Sequence, residues 1–124
     1  MIQSAKPRKQ RKFRFTAPMH KRQNFVNAHI SKELSTKLGT KRRSIEVRKG
    51  DTVKVMAGDH KGKSGKVVDV NLRTGKIRVD GVNRKNSKNK DLQIPLFASS
   101  VYLVDLDLTD KLRKAEVEGA KPNK

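Results

Sequence analysis

From Asp51 to Leu106 apolar residues fall at every second position in short runs, with turn residues between the runs at close intervals. Val53, Val55 and Ala57 alternate with Thr52, Lys54 and Met56; Val68, Val70 and Leu72 repeat the pattern, as do Ile77 and Val79. Successive side chains of a strand point to opposite faces, so this spacing predicts strands with one face buried. Gly58, Gly62 and Gly65 punctuate the first connection, and Arg73-Thr74-Gly75 and Asp80-Gly81 the next two. Pro95 and Ser99-Ser100 precede a last run, Val101 to Leu106. Four or five short strands connected in this way predict a compact barrel or sandwich. Asn83 to Lys90 holds four basic residues, three Asn and no apolar side chain, and is expected to project as a loop.

The chain ahead of these strands has a different character. Residues 1–49 carry 15 Lys and Arg against 2 acids, in a chain that totals 31 against 12 for a formal charge of +19. Ordering such a segment costs about 1 to 2 kcal/mol per residue in backbone entropy. Against that cost the segment offers Phe13, Phe15, Phe25 and a few aliphatic residues. A polyanion is therefore the expected partner, with many phosphate contacts ordering the arm. The dense run Lys6, Arg8, Lys9, Arg11, Lys12, Arg14 is expected to be extended by self-repulsion, and Lys41, Arg42 and Arg43 form a second cationic knot. Two short helices fit between them. Thr16 can cap one in which Pro18 stands near the start and Met19, Gln23 and Val26 share a face. Ser31 can cap another, with Leu34 and Leu38 on the face of Ile30, Glu33 four residues before Lys37, and Gly39 as its stop. Lys21 and Arg22 are expected to point outward from the first.

Several chemistries are excluded or disfavoured. Cysteine is absent, which removes disulfides, thiolate zinc sites and thiol catalysis and fits a reducing, cytoplasmic setting. No window approaches the roughly 18 apolar residues of a membrane span, and Met1 to Arg14 lacks the apolar stretch of a signal peptide. Ala57 to Ser64 satisfies the loose phosphate-loop pattern ending in Gly62-Lys63-Ser64, and the run ending at Asp105 imitates a magnesium-binding strand. A phosphate loop needs a helix starting at the Lys-Ser, whereas Gly65 and Val67-Val68 follow here and predict a strand. His20, His29 and His60 are isolated from one another, and Asp105, Asp107 and Asp110 read as solvent-facing positions at a strand end. No catalytic residues, metal, cofactor or small-molecule substrate are expected, and the chain is not expected to be an enzyme.

Between Val53 and Val70 the spacing Gly58, Lys61-Gly62, Gly65-Lys66-Val67 resembles a KOW motif. That motif is the hairpin of an SH3-like barrel found in ribosomal proteins and in transcription elongation factors. The hairpin by itself leaves both families open. The flanks Lys6 to Lys12, Ala17 to Arg22, Ser31 to Leu34, Arg42 to Ser44, Val47 to Asp51, Asp80 to Lys85 and Ser99 to Asp110 resemble the ribosomal protein L24 family in its archaeal and eukaryotic form, called L26 in eukaryotes. The short segment beyond Asp110 resembles the archaeal form.

The resemblance implies a mainly β chain, with an SH3-like barrel over 46–108, a basic and partly helical extension over 1–45, and a short tail over 109–124. It further implies a constituent of the large ribosomal subunit that binds large-subunit rRNA, contacts neighbouring ribosomal proteins, joins early in assembly and lies near the nascent-chain tunnel exit, within reach of factors there. The rRNA-binding residues it implies are Lys6, Arg8, Lys9, Arg11, Lys12, Arg14, Lys21, Arg22, Lys41, Arg42, Arg43, Lys61, Lys63, Lys66, Arg84 and Lys85. Gly58, Gly62 and Gly65 are expected to be turn glycines with positive φ that also let RNA approach the backbone. Phe13, Phe15 and Tyr102 have two readings open to them, stacking on bases or a buried or helix-docking role, the second being the more frequent for lone aromatics.

Overall fold

A computed structural model describes residues 3–118. Seven strands, β1 (Asn27–Ile30), β2 (Ser44–Glu46), β3 (Thr52–Val55), β4 (Ser64–Asn71), β5 (Lys76–Lys85), β6 (Asp91–Phe97) and β7 (Val101–Asp105), form one sheet in the order β2-β1-β7-β3-β4-β5-β6. β3 (Thr52–Val55), β4 (Ser64–Asn71), β5 (Lys76–Lys85) and β6 (Asp91–Phe97) make an antiparallel meander. A turn of 3-10 helix at Ala98–Ser100 then returns β7 (Val101–Asp105) to pair with β3, which gives the expected barrel-like order. Val53 and Val55 face Leu103 and Val101 across that pair, and all four are fully buried. Ile77, Val79 and Val82 of β5 complete the centre of the core.

Two departures from the alternating pattern have local causes. β3 ends at Val55, so Ala57 stands exposed in the following loop instead of continuing the inward face. In β4 the register shifts between Val67 and Asp69, which places an extra residue opposite β5. Such a bulge moves the inward face by one position. Val67 is buried against Val79, Val68 is 46% exposed, and Val70 then pairs with Ile77. The loop over 83–90 is shorter than expected: Asn83, Arg84 and Lys85 pair with Gln93, Leu92 and Asp91 as the end of a long hairpin. Asn89 at φ 55° makes its tip.

The basic arm is folded into this body. α1 (Pro7–Thr16) is a helix where an extended run was expected. Pro7 suits the first turn, and the carbonyls of Phe15 and Ala17 at its end accept from Arg22 at 2.5 and 2.7 Å. That cationic cap answers the orphan acceptors and the negative end of the helix. Thr16 belongs to α1, its hydroxyl donating to Lys12 O, and caps nothing downstream. α2 (Met19–Arg22) is a single turn that continues as a 3-10 turn, Gln23–Phe25. Val26 then leaves the helical path, and β1 (Asn27–Ile30) lies between β2 (Ser44–Glu46) and β7, parallel to the latter. α3 (Lys32–Leu38) has the expected ends, since Ser31 Oγ accepts from Leu34 N at 3.2 Å and Gly39 adopts φ 60°. Val26, Ala28, Leu34 and Ile45 share the barrel's core.

Beyond β7, α4 (Lys111–Glu118) buries Arg113 and Val117. Arg113 forks onto Asp51, with both N–O distances 2.6 Å, and the two residues are 3% and 0% exposed. Val26, Ala28 and Leu34 before residue 45 and Val117 beyond residue 108 share one core with the strands between, so packing crosses both positions.

Candidate nucleic-acid interface

Antiparallel connection sorts the basic residues to opposite ends of the meander. The loop between β3 and β4 and the tip of the β5–β6 hairpin lie at one end, the β4–β5 turn at the other.

At the first end Lys61 and Lys63 project from the loop and Lys66 from β4, while Arg84 and Lys85 stand on the hairpin; all five are exposed. Lys88 and Lys90 at the hairpin tip join them, residues implied by the composition of the loop but not singled out from it. The loop folds back on Val55, whose carbonyl accepts from Gly62 N and whose N–H donates to Lys63 O, each at 2.8 Å. Gly58 and Gly62 have φ of 92° and 90°, as the turn requires. Gly65 differs from expectation: it is a strand residue without positive φ, paired with Val53. A Cβ there would collide with the Asp80 carbonyl oxygen, so close backbone approach is what demands glycine. β4 begins at Ser64, so the Gly62-Lys63-Ser64 match leads into a strand and offers no helix N-terminus to a nucleotide phosphate.

At the opposite end α1 packs against the β4–β5 turn. Phe13 meets the Phe25 ring edge-on at 6.1 Å, and the Arg14 guanidinium lies 5.7 Å over the same ring. Arg14 also reaches within 3.9 Å of the Cβ position at Gly75. Arg22 directs its three nitrogens at the carbonyls of Ala17, Phe15 and Arg73. Its primary task is therefore to fasten α1, a role invisible in the basic run. Arg73, which the sequence did not single out, joins Arg11, Arg14, Phe15 and Arg22 around a concavity of about 440 Å³. Lys6, Arg8, Lys9, Lys12 and Lys21 are exposed along the same segment.

Lys41, Arg42 and Arg43 form a separate patch between α3 and β2. Arg42 pairs with Glu116 of α4 at 2.8 Å. Among the described residues it is the only one of the sixteen candidate contacts in an ion pair, and of the others Lys66 lies near enough to Asp107 to help hold that carboxyl below its ordinary value. The acids pair elsewhere, with Lys49 and Arg78 (Asp69), Arg48 (Asp110) and Arg113 (Asp51). Among the described residues no group of three or more His, Asp or Glu is placed to hold a metal, and no helix is long and apolar enough to cross a membrane.

A small β body with exposed cations at both ends and on a docked arm presents a basic surface of the kind that suits a polyanion. Residues 4–120 match the family described as ribosomal proteins L26 of eukaryotes and L24 of archaea, and the chain belongs to that family. It is 44% identical to the large ribosomal subunit protein uL24 of Pyrobaculum islandicum over 95% of this chain and 94% of the relative. The uL24 proteins of Saccharolobus solfataricus and Methanospirillum hungatei are 42% and 47% identical, over 95% and 94% of this chain and 98% and 95% of theirs. Of the two families that share the glycine hairpin, the match is to the ribosomal one.

Proposed function

We propose that this protein is a structural constituent of the large ribosomal subunit, that it binds large-subunit rRNA through the cations of α1, the β3–β4 loop, the β5–β6 hairpin and the Lys41 to Arg43 patch, and that it works in the cytoplasm as part of that particle. The observation that carries the reading is the exposed, unpaired charge: fifteen of the sixteen candidate contacts form no ion pair among the described residues. Cations clustered at two ends and on a helix match phosphates on the irregular surface of folded RNA better than they match one groove of a regular duplex. The names of the relatives point to the large subunit.

Early entry into assembly suits this geometry, because a cationic helix and a protruding hairpin are most easily placed before RNA folds around them. A position near the tunnel exit, beside neighbouring proteins and the factors that visit it, is carried by the family resemblance.

Titration of the purified chain with large-subunit rRNA tests the reading. With six to ten phosphates neutralised, affinity should fall about 10³- to 10⁵-fold between 50 and 200 mM salt. In cells the protein should sediment with the large subunit through a high-salt gradient. A titration flat in salt, or release from the subunit at moderate salt, would overturn it.

A further inference from the structure

The concavity between α1 and the β4–β5 turn combines two surfaces that nothing in the fold requires to be together. One is the Phe15 ring, 82% exposed although the chain has only five aromatic residues. The other is formed by the guanidinium groups of Arg11, Arg14, Arg22 and Arg73, with no acid among the lining residues. The remaining exposed rings are partnered: Lys76 lies 5.1 Å over Phe97, and Tyr102 meets His29 at 5.8 Å. Among the described residues no ring or cation covers Phe15.

The walls are also fixed in place. Arg22 ties the end of α1 to Arg73 O, and Arg14 is held over Phe25. Arg11 precedes Phe15 by four residues and so shares its helical face. An apolar ring accepts the π-face of any base, and planar guanidinium forks match phosphate oxygens. We propose that this concavity seats one unstacked nucleotide of the RNA, its base on the Phe15 ring and its phosphate among Arg11, Arg14 and Arg73, with Arg22 as the positioning residue. The proposal rests on the rRNA-binding reading above and assigns that interface a defined subsite.

The absence of tryptophan from the chain provides the test. Phe15→Trp in the full-length protein introduces a single indole at the site. A single-stranded oligoadenylate and large-subunit rRNA should both quench its emission, because a stacked base quenches indole, while polyphosphate should bind without quenching. In parallel, Phe15→Leu should weaken rRNA binding about 5- to 150-fold with the salt slope unchanged, and Arg73→Gln should lower the slope by about one. Both replacements are at exposed positions, and circular dichroism checks that α1 persists. Unchanged indole emission while labelled rRNA is demonstrably bound, or wild-type affinity in Phe15→Leu, overturns the subsite and leaves the rRNA reading standing. Failure of the unaltered protein to bind rRNA overturns both.

Discussion

Replacing Arg113 with alanine should unfasten the C-terminal helix and destabilise the whole protein. Arg113 donates to both oxygens of Asp51 and also to the carbonyls of Asp107 (2.9 Å) and Glu46 (3.0 Å). Asp51 in turn accepts from the backbone N–H groups of Arg48 (2.8 Å) and Asp107 (3.0 Å). Arg113→Ala strands a fully buried carboxylate with two amide donors and no cation, and orphans two carbonyls. Removing one partner of such a pair costs about 3 to 5 kcal/mol, and a small domain has only about 5 to 15 kcal/mol in all. For a chain of this length that corresponds to a fall in Tm of roughly 10 to 25 °C. Urea unfolding followed by far-UV circular dichroism measures it, and Arg113→Lys separates charge from geometry. Lysine keeps the cation without the fork and should recover only part of the loss. The double variant Asp51→Ala/Arg113→Met should be more stable than Arg113→Ala, because no uncompensated charge stays buried. A Tm for Arg113→Ala within about 3 °C of the unaltered protein, a loss of less than about 1 kcal/mol, would refute the reasoning.

Gly65→Ala should cost more stability than Gly58→Ala, since its new methyl meets the Asp80 carbonyl whereas the one at Gly58 meets open space and only the φ penalty of about 1 to 2 kcal/mol; comparative thermal melts check the order. Deleting residues 1–16 should leave cooperative melting intact while lowering rRNA affinity and its salt slope, because α1 buries no residue. Deleting 1–44 should abolish cooperative melting, because Val26, Ala28 and Leu34 leave the core and β7 loses β1. Hydrogen bonding and charge from Lys49 hold the Asp69 carboxyl below its ordinary value, as hydrogen bonds from Thr109 and Arg48 do for Asp107 and Asp110. Their contribution is thus present above about pH 4 and lost as the pH falls below it, which carboxyl NMR titration against melting temperature would show. Lys63→Ala should leave ATP and GTP binding absent, as in the unaltered protein, and should reduce only RNA affinity; saturable nucleotide binding in either protein contradicts the strand at Ser64.

What the sequence determines here is what nearest neighbours along the chain determine. Alternation of Val53 with Val55, Ile77 with Val79, and Val101 with Leu103 specifies strands, since the two-residue period reflects backbone geometry and one buried face. The ends of α3 were legible because Ser31 and Gly39 act within one turn. Net charge and its concentration ahead of residue 50 point to a polyanionic partner without any coordinates. Tertiary structure decided the rest, through contacts between residues far apart in the chain. α1 is a helix because Arg22 and Phe25 hold it, against the repulsion that its own sequence predicts. Asn27–Ile30 is a strand because β2 and β7 present unpaired edges to it, and local spacing carries no trace of them. The bulge after Val67 answers the register of β5, and Gly65 answers Asp80, fifteen residues away. Nothing in the local sequence around Arg113 sets it apart from the other basic residues, and it is buried because its guanidinium pairs with Asp51, 62 residues earlier and itself fully buried.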